Sequence, residues 1–253
     1  MEKSSRLFLW YYATSQLKLK YRHTYLGFVW NFIEPALFLI VLSFIFSVVN
    51  NMDITDFAVY LFAGLLPWRY FEQTVNLCQD SIATGDWLLK KMYVSPIILP
   101  ITKWLIATMD FMIAFVVLLF LLTFLKESWT IHLIVLPLSM IPWALLGLGL
   151  GLILSVLYTF FRDIKPIVQM FLMFTFFSSP ILIKIDVFSG LFQESILRFH
   201  PLTYFAALFQ KPIYYSAWPN LIDWVFSFTT GIISLAVGYF LINHYRNKFY
   251  YYL

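Results

Sequence analysis

Charge is scarce in this chain. Asp, Glu, Lys and Arg make up 12% of its 253 residues, about half the share of an ordinary soluble domain, which is too little to cover a water-facing surface of this size. Cysteine is scarcer still. Cys78 stands alone, which excludes an internal disulfide and any multi-cysteine metal site. His23, His132, His200 and His244 are not at metal-ligand spacing from one another or from Cys78, so no zinc pattern forms. No G-x-x-x-x-G-K-[ST] phosphate loop and no Gly-x-Ser-x-Gly nucleophile turn occurs. The start, Met1 to Arg6, is polar and lacks an apolar stretch ending in a small-residue cleavage site, so a cleaved secretory signal is not expected.

What is abundant is apolar. Hydrophobic residues reach 61% and mean hydropathy is +0.80. Six apolar runs, at 28–49, 57–77, 104–125, 131–158, 167–183 and 221–243, each approach the roughly 20 residues that cross a bilayer. The expected fold is an all-α integral membrane domain over residues 1–253, with six transmembrane helices in 28–243. The second run is the weakest, because it carries Pro67, Arg69 and Glu72. In the arm 1–27, Leu7, Trp10, Tyr11, Leu17 and Tyr21 fall near one helical face, and Lys18, Lys20 and Arg22 gather at its end. This suits an amphipathic helix lying in the interface; an amphipathic helix packed on a partner is the other reading.

Lys and Arg set the orientation. One side holds Lys3, Arg6, Lys18, Lys20, Arg22, Lys90, Lys91, Lys103, Arg162, Lys165, Arg246 and Lys248; the other holds Lys126, Lys184, Arg198 and Lys211. Both termini, including the tail 244–253, are therefore expected in the cytoplasm. The long external connection, 184–220, contains two amphipathic stretches, 187–199 and 202–215, parted by Pro201. A structureless loop of that length is unusual, and two short re-entrant gate helices are expected. Gly147 and Gly151, four apart within an apolar run, form a helix-packing face rather than a nucleotide fingerprint, which needs a preceding strand. Asp110 is the acid deep inside a run. Such acids are functional candidates, unless Asp110 sits near the cytoplasmic end or is paired with a basic group from a neighbouring helix.

Residues 19–35 contain Tyr21, Arg22, Leu26, Gly27, Trp30 and Pro35, and this stretch resembles the opening of ABC-2-type polysaccharide exporters. Further matches keep the same order: Gly64-Leu-Leu-Pro-Trp-Arg-Tyr-Phe71, Leu88-Leu-Lys-Lys91 with Pro96 and Pro100, Tyr158-Thr-Phe-Phe-Arg-Asp163, Ser179-Pro-Ile181 and Pro201-Leu-Thr-Tyr-Phe205. No single motif is specific, but six in order on this topology are. The chain is similar to O-antigen export permeases (Wzm-type), and beyond them to teichoic-acid and capsule permeases. It departs from the pattern at His200, where the family usually has Asn, and after Ile181, where the common Tyr is missing.

The resemblance implies a homodimer of permeases in the inner membrane, driven by two copies of a cytoplasmic ABC ATPase that binds the ATP and Mg. This chain has no ATPase site and no cofactor of its own, and it takes no nucleic acid. A cytoplasmic coupling helix over 81–95, with Asp86, Trp87, Leu88, Lys90 and Lys91, docks on the ATPase in the helix-in-groove mode, and Arg162 and Asp163 buttress it. The cargo implied is a polyprenyl-diphosphate-linked polysaccharide, whose diphosphate needs cations; Lys20 and Arg22 are the candidates. Rings that let a sugar chain slide are Trp30, Phe32 and Phe38 in the first run and Phe171, Phe174 and Phe177 in the fifth. Each of these rings equally suits lipid or helix packing. Three other readings compete: an ABC-2-type exporter of a drug or lipid; a multispanning membrane enzyme such as an acyltransferase, built on His132 or His200; and a membrane scaffold.

Overall fold

The computed structural model describes residues 11, 14–16, 30–49, 53–91, 95–125, 130–182, 199–246 and 248–249. Among the described residues every regular element is helical. In chain order these are α1 (Trp30–Val49), α2 (Ile54–Gln79), the short α3 (Ser81–Thr84) and α4 (Asp86–Lys91), and α5 (Ile98–Leu125). A 3-10 turn (Ile131–Val135) leads into α6 (Leu136–Phe160). Then come α7 (Ile164–Phe177), α8 (Pro201–Gln210) with a π-helical turn (Lys211–Tyr215), and α9 (Leu221–Tyr245). Ile98–Val116, Ile131–Phe160 and Leu221–Tyr245 are long and apolar enough to cross a bilayer. Ala36–Val48 and Ile164–Phe177 are shorter apolar helices.

The second apolar run is the centre of the bundle. Most of α2 is buried, from Phe57 and Leu61 at one end to Cys78 and Gln79 at the other. That explains its weak hydropathy: its neighbours are helices, which tolerate polar side chains that hydrocarbon does not. Glycines bring α6 against two partners. A Cβ on Gly147 would lie 3.1 Å from Thr74, and one on Gly151 would lie 2.6 Å from Cys78, both on α2. On the opposite side of α6, Gly149 meets Ser234 and the backbone of Leu235 on α9, and Gly238 answers with 2.7 Å to the Gly149 carbonyl oxygen. Helices this close gain dispersion and lose no side-chain entropy at the contact. Trp143 is fully buried on α6, and its indole N–H donates to the Phe205 carbonyl at 3.1 Å, tying α8 to the bundle.

The single helix expected over 81–95 is instead two short helices broken at Gly85. Glycine is a poor helix former, and a side chain there would lie 2.8 Å from Leu99 and 2.9 Å from the Ser81 carbonyl oxygen, so the close approach to α5 leaves no room for one. The second external stretch forms α8, with Pro201 at its first position and His200 as its cap. Of the amphipathic arm, Tyr11 and residues 14–16 are helical. Its remainder, with Lys20 and Arg22, and the first external stretch up to residue 198 lie outside the described residues.

Candidate functional site

Arg69, Glu72 and Asn76 recur three to four residues apart on α2, so they share one face. With Phe38 of α1 and Gln169, Phe176 and Phe177 of α7, that face lines a cavity of about 460 Å³. Arg69 places its guanidinium 4.5 Å above the Phe38 ring centre and 3.4 Å from the Glu72 carboxylate. Trp68 stacks on Phe176 at 5.6 Å, and Phe176 in turn meets Phe38 at 6.4 Å. The ring face and the carboxylate together offset the loss of water around the cation. Asn76 Oδ1 is buried and has no hydrogen-bond partner. Composition flagged Arg69 and Glu72 only as blemishes in an apolar run; polar groups inside a run are themselves the signal of a site.

Asp110 is buried and accepts from the Gln73 side-chain amide at 2.8 Å. A neighbouring helix thus meets the acid with a neutral amide, where a basic group was the expected partner. One turn away, Tyr70 and Thr108 join their hydroxyls across the same pair of helices at 2.9 Å.

At the end that charge assigns to the cytoplasm, Asp86 and Lys90 form an i, i+4 pair at 3.0 Å on α4. Lys90 holds the Asp86 carboxyl below the usual carboxylate range. Trp87 is exposed beside them. Leu88 and Lys91 belong to α4, but their side chains lie outside the described residues. Arg162 and Asp163 are exposed in the turn between α6 and α7. The tie between the two cytoplasmic connections is made by other residues: Lys165, at the start of α7, reaches Asp80, at the end of α2, at 2.7 Å. Sequence reasoning used Lys165 only to count charge, and nothing local marks a pair 85 positions apart.

At the opposite end, α2, the segment after α7 and α8 meet. Tyr60 donates to the Pro180 carbonyl at 2.5 Å, Gln210 donates to the same oxygen at 3.3 Å, and a Cβ on Gly64 would meet Gln210 and Ile181. His200 caps α8: its Nδ1 accepts from the Leu202 N–H at 3.3 Å, while Nε2 lies 3.2 Å from the Ser178 hydroxyl. With Nδ1 accepting, Nε2 carries the proton and donates to Ser178. Burial lowers the pKa of this ring, favouring that neutral form. Lys211 pairs with Asp223 at 2.5 Å, and Asp223 also closes a capping box with Asn220 on α9. Of the ring candidates, Phe38 is half-buried, while Phe171, Phe174 and Phe177 are exposed on one side of α7. Trp30 and Phe32 lie in α1, with side chains outside the described residues.

The apolar helices define the class of the molecule as an all-α membrane helical bundle with a polar-and-aromatic cavity against its central helix. Among the described residues no group of His, Cys, Asp or Glu is arranged to hold a metal. The chain belongs to the ABC-2 type transporter family, whose model matches residues 8–214, and within that family it is a non-catalytic membrane subunit. It is 26% identical over 243 residues to an O-antigen export system permease protein RfbA of Klebsiella pneumoniae, covering 94% of this chain and 91% of that protein. It is 28% identical over 206 residues to the protein of the same name from Myxococcus xanthus, covering 81% and 79%. The polysialic acid transport protein KpsM of Escherichia coli is 24% identical over 201 residues, 78% of each chain.

Proposed function

We propose that this chain is the membrane-spanning subunit of an ATP-driven exporter that moves a polyprenyl-diphosphate-linked polysaccharide of the O-antigen type across the inner membrane. One observation carries the reading: relatives that match nearly the whole chain are O-antigen export permeases. Six helices span the bilayer with both termini in the cytoplasm, in agreement with the charge imbalance. Two copies form the pathway, and two copies of a cytoplasmic ABC ATPase drive it. Closure of the ATPase pushes on α4, where the exposed Trp87 supplies an apolar anchor between Asp86 and Lys90. Leu88, Lys91, Arg162 and Asp163 extend that contact. Lys20 and Arg22 hold the diphosphate at the cytoplasmic leaflet, and the rings of α1 and α7 offer sugar faces a surface with few polar anchors. Such a path binds well enough to admit the chain and weakly enough to release it.

The decisive experiment deletes the gene for this chain and restores it together with the ABC ATPase that partners it. Surface polysaccharide should vanish and return, and return should fail with an ATPase that binds but does not hydrolyse ATP. Surface polysaccharide that persists in the deletion strain would refute the reading. Arg22→Ala should lower export while the complex still assembles.

A further inference from the structure

Resting on the exporter reading above, we propose that Phe249 is a positioning residue for coupling: it seats α3 against α5, α6 and α9, so that a push received on α4 moves the bundle rather than α3 by itself. The chain leaves α9 at Tyr245 and turns back at once, with the Lys248 N–H donating to the Tyr245 carbonyl at 2.9 Å. The turn sends two neighbours to opposite surroundings. Lys248 is exposed, its ammonium 5.2 Å from the centre of the Tyr245 ring. Phe249 is fully buried.

The place of that burial carries the inference. Phe249 shares an apolar cluster with Ile82 of α3, Leu99 of α5, Leu152 and Val156 of α6 and Ile242 of α9, and this cluster is separate from the large core around α2. Its ring also lies 6.0 Å from that of Phe160, which in turn meets Tyr245 at 5.5 Å. Phe160 is the last residue of α6 and opens onto the turn that carries Arg162 and Asp163. One side chain thus packs beside both cytoplasmic connections.

α3 needs such a seat. It has four residues, and a helix that short does not hold its own shape or place. Local bonds join it to the end of α2: the Ser81 hydroxyl donates to the Cys78 carbonyl at 2.6 Å, and the Thr84 N–H donates to the Asp80 carbonyl at 2.9 Å. These bonds run along the chain and leave the tilt of α3 toward α5, α6 and α9 to apolar packing. That packing is Ile82 in the cluster and Gly85 against Leu99. α4, with the exposed Trp87, follows directly across Gly85. Removing a large ring from so small a cluster leaves a cavity that its neighbours fill only in part. α3, the shortest element around it, is the one expected to shift.

The test uses the permease purified with its ATPase partner, and cells that carry the same variants. Export is expressed per assembled complex and per ATP hydrolysed, ratios that a mere loss of protein does not move. Phe249→Ala should speed hydrogen exchange about tenfold at the Thr84 and Gly85 amides, which close the turns of α3, and leave those around Phe71 in α2 unchanged. ATP hydrolysis should stay within about twofold of the unaltered complex, while polymer exported per ATP falls about fivefold. Phe249→Leu refills most of the space and should give intermediate values of both; it takes the place of Phe249→Ala if that chain does not assemble. Unchanged exchange at Thr84 and Gly85, or polymer per ATP at the unaltered level in both variants, would overturn the role of Phe249 and leave the exporter reading standing. So would faster exchange throughout the bundle, or failure of both variants to assemble, either of which makes Phe249 a part of the frame. An unaltered complex that hydrolyses ATP and exports no polymer would remove the exporter reading, and the coupling role with it.

Discussion

α6 and α7 follow one another across a short turn and are both strongly apolar, yet they occupy opposite surroundings. α6 is inlaid between α2 and α9 by Gly147, Gly149 and Gly151. α7 buries Leu172 and Phe176 and exposes Ile167, Met170, Phe171, Met173, Phe174 and Phe177. Apolarity alone therefore says little about where a membrane helix sits; the size of its side chains says more. Small residues permit backbone approach and build a frame, while large ones leave a face for lipid, for a second copy or for cargo. α7 is tied to that frame at its ends, by Lys165 to Asp80 and by Ser178 to His200, and between them one side of it lines the cavity.

The contrast breaks most violently at Gly149. A leucine there would collide with the main chain of α9, which cannot move aside as a side chain can. Gly149→Leu should cost about 3 kcal/mol and abolish recovery of a monodisperse complex on size-exclusion chromatography. The same residue placed on α7, as Phe174→Leu, should be recovered like the unaltered chain.

Next comes the tie at the cytoplasmic end. Lys165→Asp should sharply reduce export, and Asp80→Lys combined with it should recover a substantial part. Because both partners are partly exposed, the thermal cost of breaking the pair should stay near 1 kcal/mol or below. A large loss of export with a small loss of stability marks transmission rather than scaffolding. Equal losses would reduce α7 to another part of the frame.

The tie at the other end depends on pH. The folded pKa of His200 lies below its ordinary value through burial, so the neutral ring is the folded form. Its stabilising contribution is therefore complete above the unfolded pKa, near 6.5, and is lost as pH falls through the lower folded value. Acidification should weaken the cap on α8 by about 1 kcal/mol, read as faster hydrogen exchange at the Leu202 amide. His200→Asn keeps a capping acceptor and should flatten that pH response.

The smallest effect is expected at the exposed rings. Phe174→Ala should change stability by no more than about 0.5 kcal/mol, yet slow export of the polymer, measured as surface polysaccharide per unit of membrane-inserted chain. Full export in Phe174→Ala would return that ring to the lipid.

Much of this was legible along the chain. The apolar runs, the glycine spacing at 147 and 151, the break implied by Pro201 and the ordered motifs are all local patterns, and the helices lie where the runs do. The coupling segment was read as one helix although it contains Gly85, a poor helix former, at which the helix breaks. Arg69, Glu72 and Asn76 were visible as residues but not as a site. Their spacing places them on one face, but which helices that face looks toward depends on how α2 is rotated in the bundle. His200 was visible as a departure from the family; its role as a cap became apparent only with the Leu202 N–H in front of it.

By itself, then, the order of residues determined that this chain is a helical membrane protein of the ABC-2 type, because run length, periodicity and motif order are properties of neighbours in sequence. Tertiary structure alone decided that a buried amide, an ion pair and four rings enclose one cavity, and that Lys165 meets Asp80. Those meetings depend on helix rotation and close approach between distant segments, which are set by the packing of the whole bundle.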